Sequence, residues 1–424
     1  MNLDWRRLKA VVLESDDWGL CAWSPDEQAY RVLADTPAFR TPAGRRYGAS
    51  TLESAADVRS LVETLLEFRG GDGFPPVWQA NTVLAAPDYP RLRAPSFEAP
   101  LPLVDFPTTP SRWQRPGLWE ETARAVEAGT WWPELHGLHH LAETAWLGAL
   151  RRGVDDARRA FEHQSFVCQV VEASGEYHPA EPPEVRTRNL TLAVAKFVAL
   201  TGRAPRSLCP PDYRWDERLE ADAERLGVST LQGKAEQIGP SLPKIRRLVM
   251  RYRWPHRRGA RFYMPPRIAF EPRPDDPAAN RVGAAAVRRA ARSAWQRGQP
   301  AAVSTHRVNY AHLDPRAAAG GRSALRDLLS GFIEDGAVFL IDDEVRQLQE
   351  WSWSVRPIGD RGALLRYYGV PNDPIRFAAP AGTYGVTIRD GHGAQGAEVA
   401  VEEGEVVARM NVGEYLLEWN VSDR

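Results

Sequence analysis

Val11-Val12-Leu13-Glu14-Ser15-Asp16-Asp17-Trp18-Gly19 is an apolar run that ends in two adjacent carboxylates and a glycine. The branched apolar residues read as a short buried strand over residues 8–13, with the acidic pair at its C-terminal end. Two neighbouring carboxylates raise one another's pKa and invite a cation or a proton between them. Much further along comes His136-Gly137-Leu138-His139-His140. Imidazoles four residues apart can face one point, the spacing of helical metal motifs. One carboxylate and two imidazoles give three ligands with open positions, the form of a catalytic metal centre. The second carboxylate then stands where a general base is needed. Two other readings stay open: His136 and His139 can also share a helix face, and adjacent aspartates commonly cap helices.

Working outward, helical periodicity covers residues 52–69, 117–129, 141–152, 154–172, 185–202, 217–226, 283–297 and 322–335. Apolar strand-like runs lie at 75–83, 228–232, 300–306 and 337–341. A proline-rich, poorly periodic stretch at 86–116 reads as a long loop. Alternation of strands and helices over residues 1–355 predicts parallel βα units, in a barrel or an open α/β sheet. The polar residues singled out fall at C-terminal strand ends, where α/β barrels place their active sites. Beyond residue 356 helical patterns stop, and glycine and proline separate short strands. The expected organisation is therefore a catalytic domain over 1–355 and a small β-sandwich over 356–424.

The 424 residues suit a barrel of about 250 or more residues plus an accessory module. Basic and acidic residues nearly cancel, 54 against 55, so no global field favours nucleic acid or an anionic membrane. The arginine run from Arg251 to Arg261 reads as a solvated surface loop. Cys21, Cys168 and Cys209 match neither a zinc knuckle nor a disulfide framework. With no signal-peptide core and no long apolar run, the expectation is a soluble cytoplasmic protein with no membrane partner.

The acidic pair, the histidine pair, Pro210-Pro211-Asp212-Tyr213 and Val303-Ser304-Thr305-His306 resemble, in order and spacing, the four motifs of the NodB-like polysaccharide deacetylases, the family 4 carbohydrate esterases. Glu14-Ser15-Asp16-Asp17-Trp18-Gly19 and Thr305-His306-Arg307-Val308-Asn309-Tyr310 look like a divergent bacterial branch of that superfamily. The resemblance spans most of residues 8–345. It implies a distorted (β/α)7 barrel that removes an acetyl group from a sugar or glycan, N-acetyl ahead of O-acetyl. It implies that Asp16 is the base and His306 the general acid. Asp17, His136 and His140 would bind a divalent metal, zinc first, with manganese, cobalt or nickel as alternatives. Cys209 stands where the family has an arginine that orients the base; Arg206, Arg214 and Arg307 are candidate substitutes. Trp18, Pro211, Tyr213 and Arg307 form the expected substrate-binding set. Trp18 and Trp131-Trp132 would stack on sugar faces, and a backbone N–H near Tyr213 would help hold the oxyanion.

Two other classes compete. The departure at Cys209 suits a carbohydrate-binding protein with impaired catalysis. A glycosidase on the same barrel needs two carboxylates about 5–9.5 Å apart across the scissile bond, and adjacent aspartates cannot flank a sugar in that way.

Overall fold

The strand that carries the acidic pair, Ala10–Trp18, is the hub of the molecule. The computed structural model describes residues 3–169, 175–178, 180–233, 254–273, 281–390 and 397–421. The strand runs five residues beyond the expected 8–13, so Asp16 and Asp17 lie in the strand itself. Along one side it pairs in parallel with Ala301–His306. Along the other it pairs first with Val338–Leu340 and then with Trp78–Thr82. The sheet continues through Trp131–Leu135, Ser207–Leu208, Thr230–Leu231 and Arg261–Tyr263, all parallel, to an antiparallel edge at His256–Arg258. Ile268–Ala269 flanks Ala301–His306 at the other end. The arginine run thus ends in this edge hairpin; residues 251–253 lie outside the described part, as does the expected helix end at 170–172.

The central strand is buried on both faces, as expected of a parallel sheet. Val11 and Leu13 pack outward against helix residues such as Leu61, Leu118, Leu325 and Phe332. Val12 faces inward among Ala302, Leu340, Phe262 and Met264. Contacts across the inner face require strong curvature. Asn81 lies in one strand and Gln232 follows another three steps away in the sheet, which in a flat sheet would be about 14 Å at the usual spacing of about 4.8 Å. Their side-chain amides nevertheless hydrogen-bond at 2.7 and 2.9 Å. The mixed α/β unit is therefore built on a curled, mainly parallel sheet. Among the described residues no strand pairing closes it.

The proline-rich stretch is less irregular than its composition suggests. Ala85–Pro87 pairs with Leu103–Asp105, and two single 3-10 turns follow the chain at Tyr89–Arg91 and Ser111–Trp113. Antiparallel sheets begin at Trp353, directly after the helix Asp342–Trp351. One sheet has four strands and the other three. They share a buried cluster that includes Leu365, Tyr367, Val406, Met410, Tyr415 and Trp419. Among the described residues no helix is long and apolar enough to cross a membrane.

Arg366, fully buried on the strand Gly362–Tyr367, ties this region to the α/β unit through Glu344 and Asp72, the latter at 2.8 Å. Removing one partner of a buried pair strands the other charge. Arg366→Met is therefore expected to destabilise the protein by about 3–5 kcal/mol. Equilibrium denaturant unfolding measures this; a change within error would show that the pair carries no net stabilisation.

Candidate metal centre and acid–base site

Asp17 and His140 both have left-handed backbone conformations, with φ of 74° and 65°. Non-glycine residues rarely hold this conformation unless the surroundings enforce it. At His140 the enforcing group is visible. His136 follows the strand Trp131–Leu135, and the next four residues form a tight loop, so the i, i+4 spacing of the two imidazoles is not that of a helix. The buried Glu176 carboxylate accepts the backbone N–H groups of Leu138, His139 and His140, at 2.8–3.2 Å. Gly137, with φ of 96°, lets the carboxylate come this close; a Cβ there would lie 2.6 Å from Glu176 Oε2.

The loop brings three lone-pair atoms together. Asp17 Oδ1 lies 3.4 Å from His136 Nε2 and 3.6 Å from His140 Nε2. The two Nε2 atoms are 3.2 Å apart. Ligand bonds of about 2.0–2.2 Å at tetrahedral angles place ligand atoms about 3.3–3.6 Å apart, so the set fits a zinc-like cation. His136 Nδ1 lies 2.7 Å from the Cys209 carbonyl oxygen, which can only accept. That contact fixes the proton on Nδ1 and leaves Nε2 free to ligate, the outer-shell pattern of metal-binding histidines. His139 points elsewhere, toward Glu143, Glu176 and Asn189. A second group of candidate ligands, Asp16, His136 and Cys209, also converges. There a guanidinium already fills the space: Arg267 Nη1 is 2.7 Å from Asp16 and 3.1 Å from Cys209 Sγ.

Arg267 supplies what Cys209 lacks. Its two terminal nitrogens fork onto Asp16, Nη1 to Oδ2 at 2.7 Å and Nη2 to Oδ1 at 3.0 Å. Asn81 adds a third donor to Asp16 Oδ1 at 2.7 Å. Burial alone would raise the Asp16 pKa, but the Arg267 charge and hydrogen bonds, joined by the charges of His136 and His306, together outweigh it and hold the carboxyl well below the usual range. None of the three expected substitutes does this. Arg206 is exposed, Arg214 pairs with Asp212, and Arg307 pairs with Glu53.

His306 stands across from Asp16, with Nε2 3.9 Å from Asp16 Oδ2. Its Nδ1 donates to Glu271 Oε1 at 2.5 Å, and Glu271 is itself held by Arg46 and Asn309. Burial pushes the His306 pKa down, but the Glu271 charge and hydrogen bond win and raise it above the ordinary value. His306 is 22% exposed and Asp17 14%, so both reach the opening.

Three expectations for substrate contacts fail on geometry. Trp18 is 2% exposed; its indole N–H donates to Ser15, and its ring meets Trp131 edge-on, 4.6 Å between centroids. Trp131 and Trp132 are likewise buried. The outward face of the strand is an apolar layer under helices, so Trp18 and Trp131 are core, and Trp132 packs separately with Val77 and Ile341. Arg307 is 1% exposed and committed to Glu53, which also accepts the Gly19 N–H. The Tyr213 N–H donates to the Pro210 carbonyl and is not open to an oxyanion. The Tyr213 hydroxyl accepts from Arg267 at 3.0 Å, and Pro211 lies buried against the histidine loop.

Arg267, Glu271, Asn81 and Glu176 were not singled out from sequence. Pro265-Pro266-Arg267, echoing Pro210-Pro211, was the available signal for the first of them.

No protein-family model and no curated protein matches the chain. Solved structures do. A Mycobacterium smegmatis protein described as a candidate polysaccharide deacetylase aligns at 15% identity over 80% of this chain and 88% of its own, TM-score 0.39. Agd3, described as a novel carbohydrate deacetylase, aligns at 9% identity over 97% and 65%, TM-score 0.42. A 4-alpha-glucanotransferase from Thermococcus litoralis aligns at 10% identity over 80% and 40%, TM-score 0.39.

The geometry predicts about one bound divalent cation per chain, counting ligands as for a three-residue site. After zinc loading and desalting, His140→Ala is expected to lose it and His139→Ala to keep it, read by elemental analysis. The opposite pattern would move the ligand set to His139.

Proposed function

We propose that this chain is a metal-dependent hydrolase that removes an acetyl group from a sugar or glycan, N-acetyl ahead of O-acetyl. The observation that carries the reading is the flanking of one cation-shaped hole by an ionised carboxylate and a carboxylate-supported histidine. Asp17, His136 and His140 would hold the metal, zinc first. Once bound, a metal in such a site supplies Lewis-acid polarisation of the acyl oxygen and a water of lowered pKa. In this reading residues 1–355 form a distorted (β/α)7 barrel that carries the chemistry, and 356–424 form an accessory β-sandwich.

The rest is work for the chain's own residues. Asp16, kept ionised and aimed by Arg267 and Asn81, receives the proton of the attacking water on Oδ2. Its low basicity suits transient custody of that proton better than permanent uptake. His306, with Nδ1 tied to Glu271, presents Nε2–H to the leaving amine or alkoxide. Base and acid thus face one another across the opening, and the buried walls keep bulk water from competing. The reason to favour an inactive carbohydrate-binding protein was the missing arginine, and Arg267 removes it. Against a glycosidase, Glu271 is fully engaged by His306, Arg46 and Asn309, so it offers no free second carboxylate.

Asp16→Asn is expected to retain the metal while acetate release from an acetylated oligosaccharide falls by about 10²- to 10⁴-fold, the usual size of a general-base contribution. Turnover unchanged in a metal-replete Asp16→Asn protein would overturn the assignment.

The pH profile tests His306. A general acid must be protonated, so activity falls as pH rises through its pKa. Glu271 raises that pKa, so Glu271→Gln is expected to move the alkaline limb of kcat to lower pH. His306→Ala should impair sugar substrates far more than aryl acetates, whose leaving groups need little protonation. An alkaline limb unmoved in Glu271→Gln, with equal losses on both substrates in His306→Ala, would make His306 structural.

A further inference from the structure

Tyr47 closes the short helix Pro42–Tyr47 and lies beside His306, and the proposed chemistry does not use it. Its ring meets the His306 imidazole edge-on, with 5.6 Å between centroids and 65° between planes. Trp23 stacks near it at 6.1 Å, and the Arg46 guanidinium sits 5.3 Å from its ring centre. The phenyl part is therefore packed. The hydroxyl is not. It hydrogen-bonds to no described residue, and unlike the Tyr89 and Tyr177 hydroxyls it is not sealed from water. Two other phenols near the site are already engaged, Tyr213 by Arg267 at 3.0 Å and Tyr310 by Thr305 at 3.2 Å.

The place of this hydroxyl is fixed before any substrate arrives. Arg46, the preceding residue, pairs at 2.7 Å with Glu271, the same carboxylate that holds His306. Gly44 docks the helix on the segment before it; a Cβ there would lie 2.4 Å from Phe39 Cα. Ser50 bridges to His312, beyond the end of the strand that carries His306. The helix and the proposed general acid are thus tied together from two sides. A donor held in this way costs little to order, so its hydrogen bond to a ligand is realised nearly in full. Burial raises the Tyr47 pKa, and the Glu271 and Asp17 charges add to it against Arg46. The phenol therefore keeps its proton wherever His306 can act, and it is available as a donor.

We propose that Tyr47 is a substrate-contacting residue that sets the preference for sugars, its O–H donating to a hydroxyl oxygen of the ring whose amine or alkoxide leaves toward His306. The proposal rests on the deacetylase reading above. The atom that His306 protonates is a substituent of a sugar ring, and its neighbours on that ring are hydroxyls. A donor fixed beside His306 is placed to meet one of them. An aryl acetate brings no such hydroxyl, and a site built around a polar contact discriminates against a substrate that lacks it.

Tyr47→Phe removes the O–H alone and keeps the ring against His306 and Trp23. In zinc-loaded full-length protein, kcat/KM is measured for an N-acetylglucosamine oligosaccharide and for an aryl acetate. The ratio of the first to the second is expected to fall by about 3- to 10-fold in Tyr47→Phe, the size of one hydrogen bond to an uncharged partner. The change should lie in KM for the oligosaccharide rather than in kcat. A second measurement needs no sugar chemistry: the deacetylated oligosaccharide should inhibit aryl acetate hydrolysis, and its inhibition constant should rise by a similar factor in the variant. An unmoved ratio with an unmoved inhibition constant would overturn the proposal. So would an equal loss on both substrates, which would show the phenol acting through His306. If inhibition by the sugar depends on Tyr47 but no acetate leaves the oligosaccharide, the sugar contact stands and the deacetylase reading falls. If the oligosaccharides are neither hydrolysed nor inhibitory, both fall.

Discussion

The fork from Arg267 to Asp16 is the interaction on which the rest of the site depends. A carboxylate buried this deeply would ordinarily take up a proton, and a protonated Asp16 could not take another from water. The guanidinium keeps it ionised and fixes the plane of its oxygens. The arginine must itself be held, because a buried cation has no water to satisfy it. Tyr213 and Glu14 do this from two sides, and the Cys209 thiol fills the corner between them without adding charge. The guanidinium thus meets its counter-charge inside the sheet and not in solvent, as a low-dielectric interior requires.

The same constraint explains why Cys209 is compatible with the motif. Two arginines, one at 209 and one at 267, would compete for a single carboxylate and leave a buried cation unpaired. A small buried thiol lets the fork arrive from the neighbourhood of Ile268–Ala269, across the curled sheet. The guanidinium that grips Asp16 thus comes from beside the strand Ile268–Ala269 and not from position 209. This is possible because the sheet's curvature makes residues distant in strand order neighbours across the interior.

Much of this was legible in the chain and some was not, for physical reasons that differ by residue. The central strand, Trp78–Thr82, Ala301–His306 and most of the helices follow from periodicity, which reports burial directly. Asp17, His136 and His140 are found by residue type and spacing. The loop geometry that unites them does not follow from the spacing, because an i, i+4 pair fits a helix equally well. Glu176, which shapes that loop, carries no local signal, since its partners are backbone N–H groups nearly forty residues earlier. Arg267 and Glu271 sit beside a strand of two residues, too short to show a pattern. Trp18 and Arg307 stand next to functional residues in sequence but turn away from them, Trp18 after the left-handed break at Asp17 and Arg307 in the turn that follows the strand Ala301–His306; plain strand alternation would have kept Trp18 on the face of Asp16.

That alternation also gives the central strand two kinds of task. Its outward residues, Val11, Leu13 and Ser15, serve packing: Ser15 accepts the indole N–H of Trp18 and the others meet the helices. Its inward residues pass from apolar Val12 to acidic Glu14 to acidic Asp16, so polarity rises toward the opening. Asp17 would point away from the opening if the strand stayed regular. Its left-handed backbone breaks the alternation at that residue and sends a second consecutive carboxylate to the histidines. The register slip between Ser15 and Trp18 against the neighbouring strand is the same event seen in the hydrogen-bond ladder. Strain at one residue is therefore what lets two adjacent aspartates take different partners, one the guanidinium and one the imidazole pair.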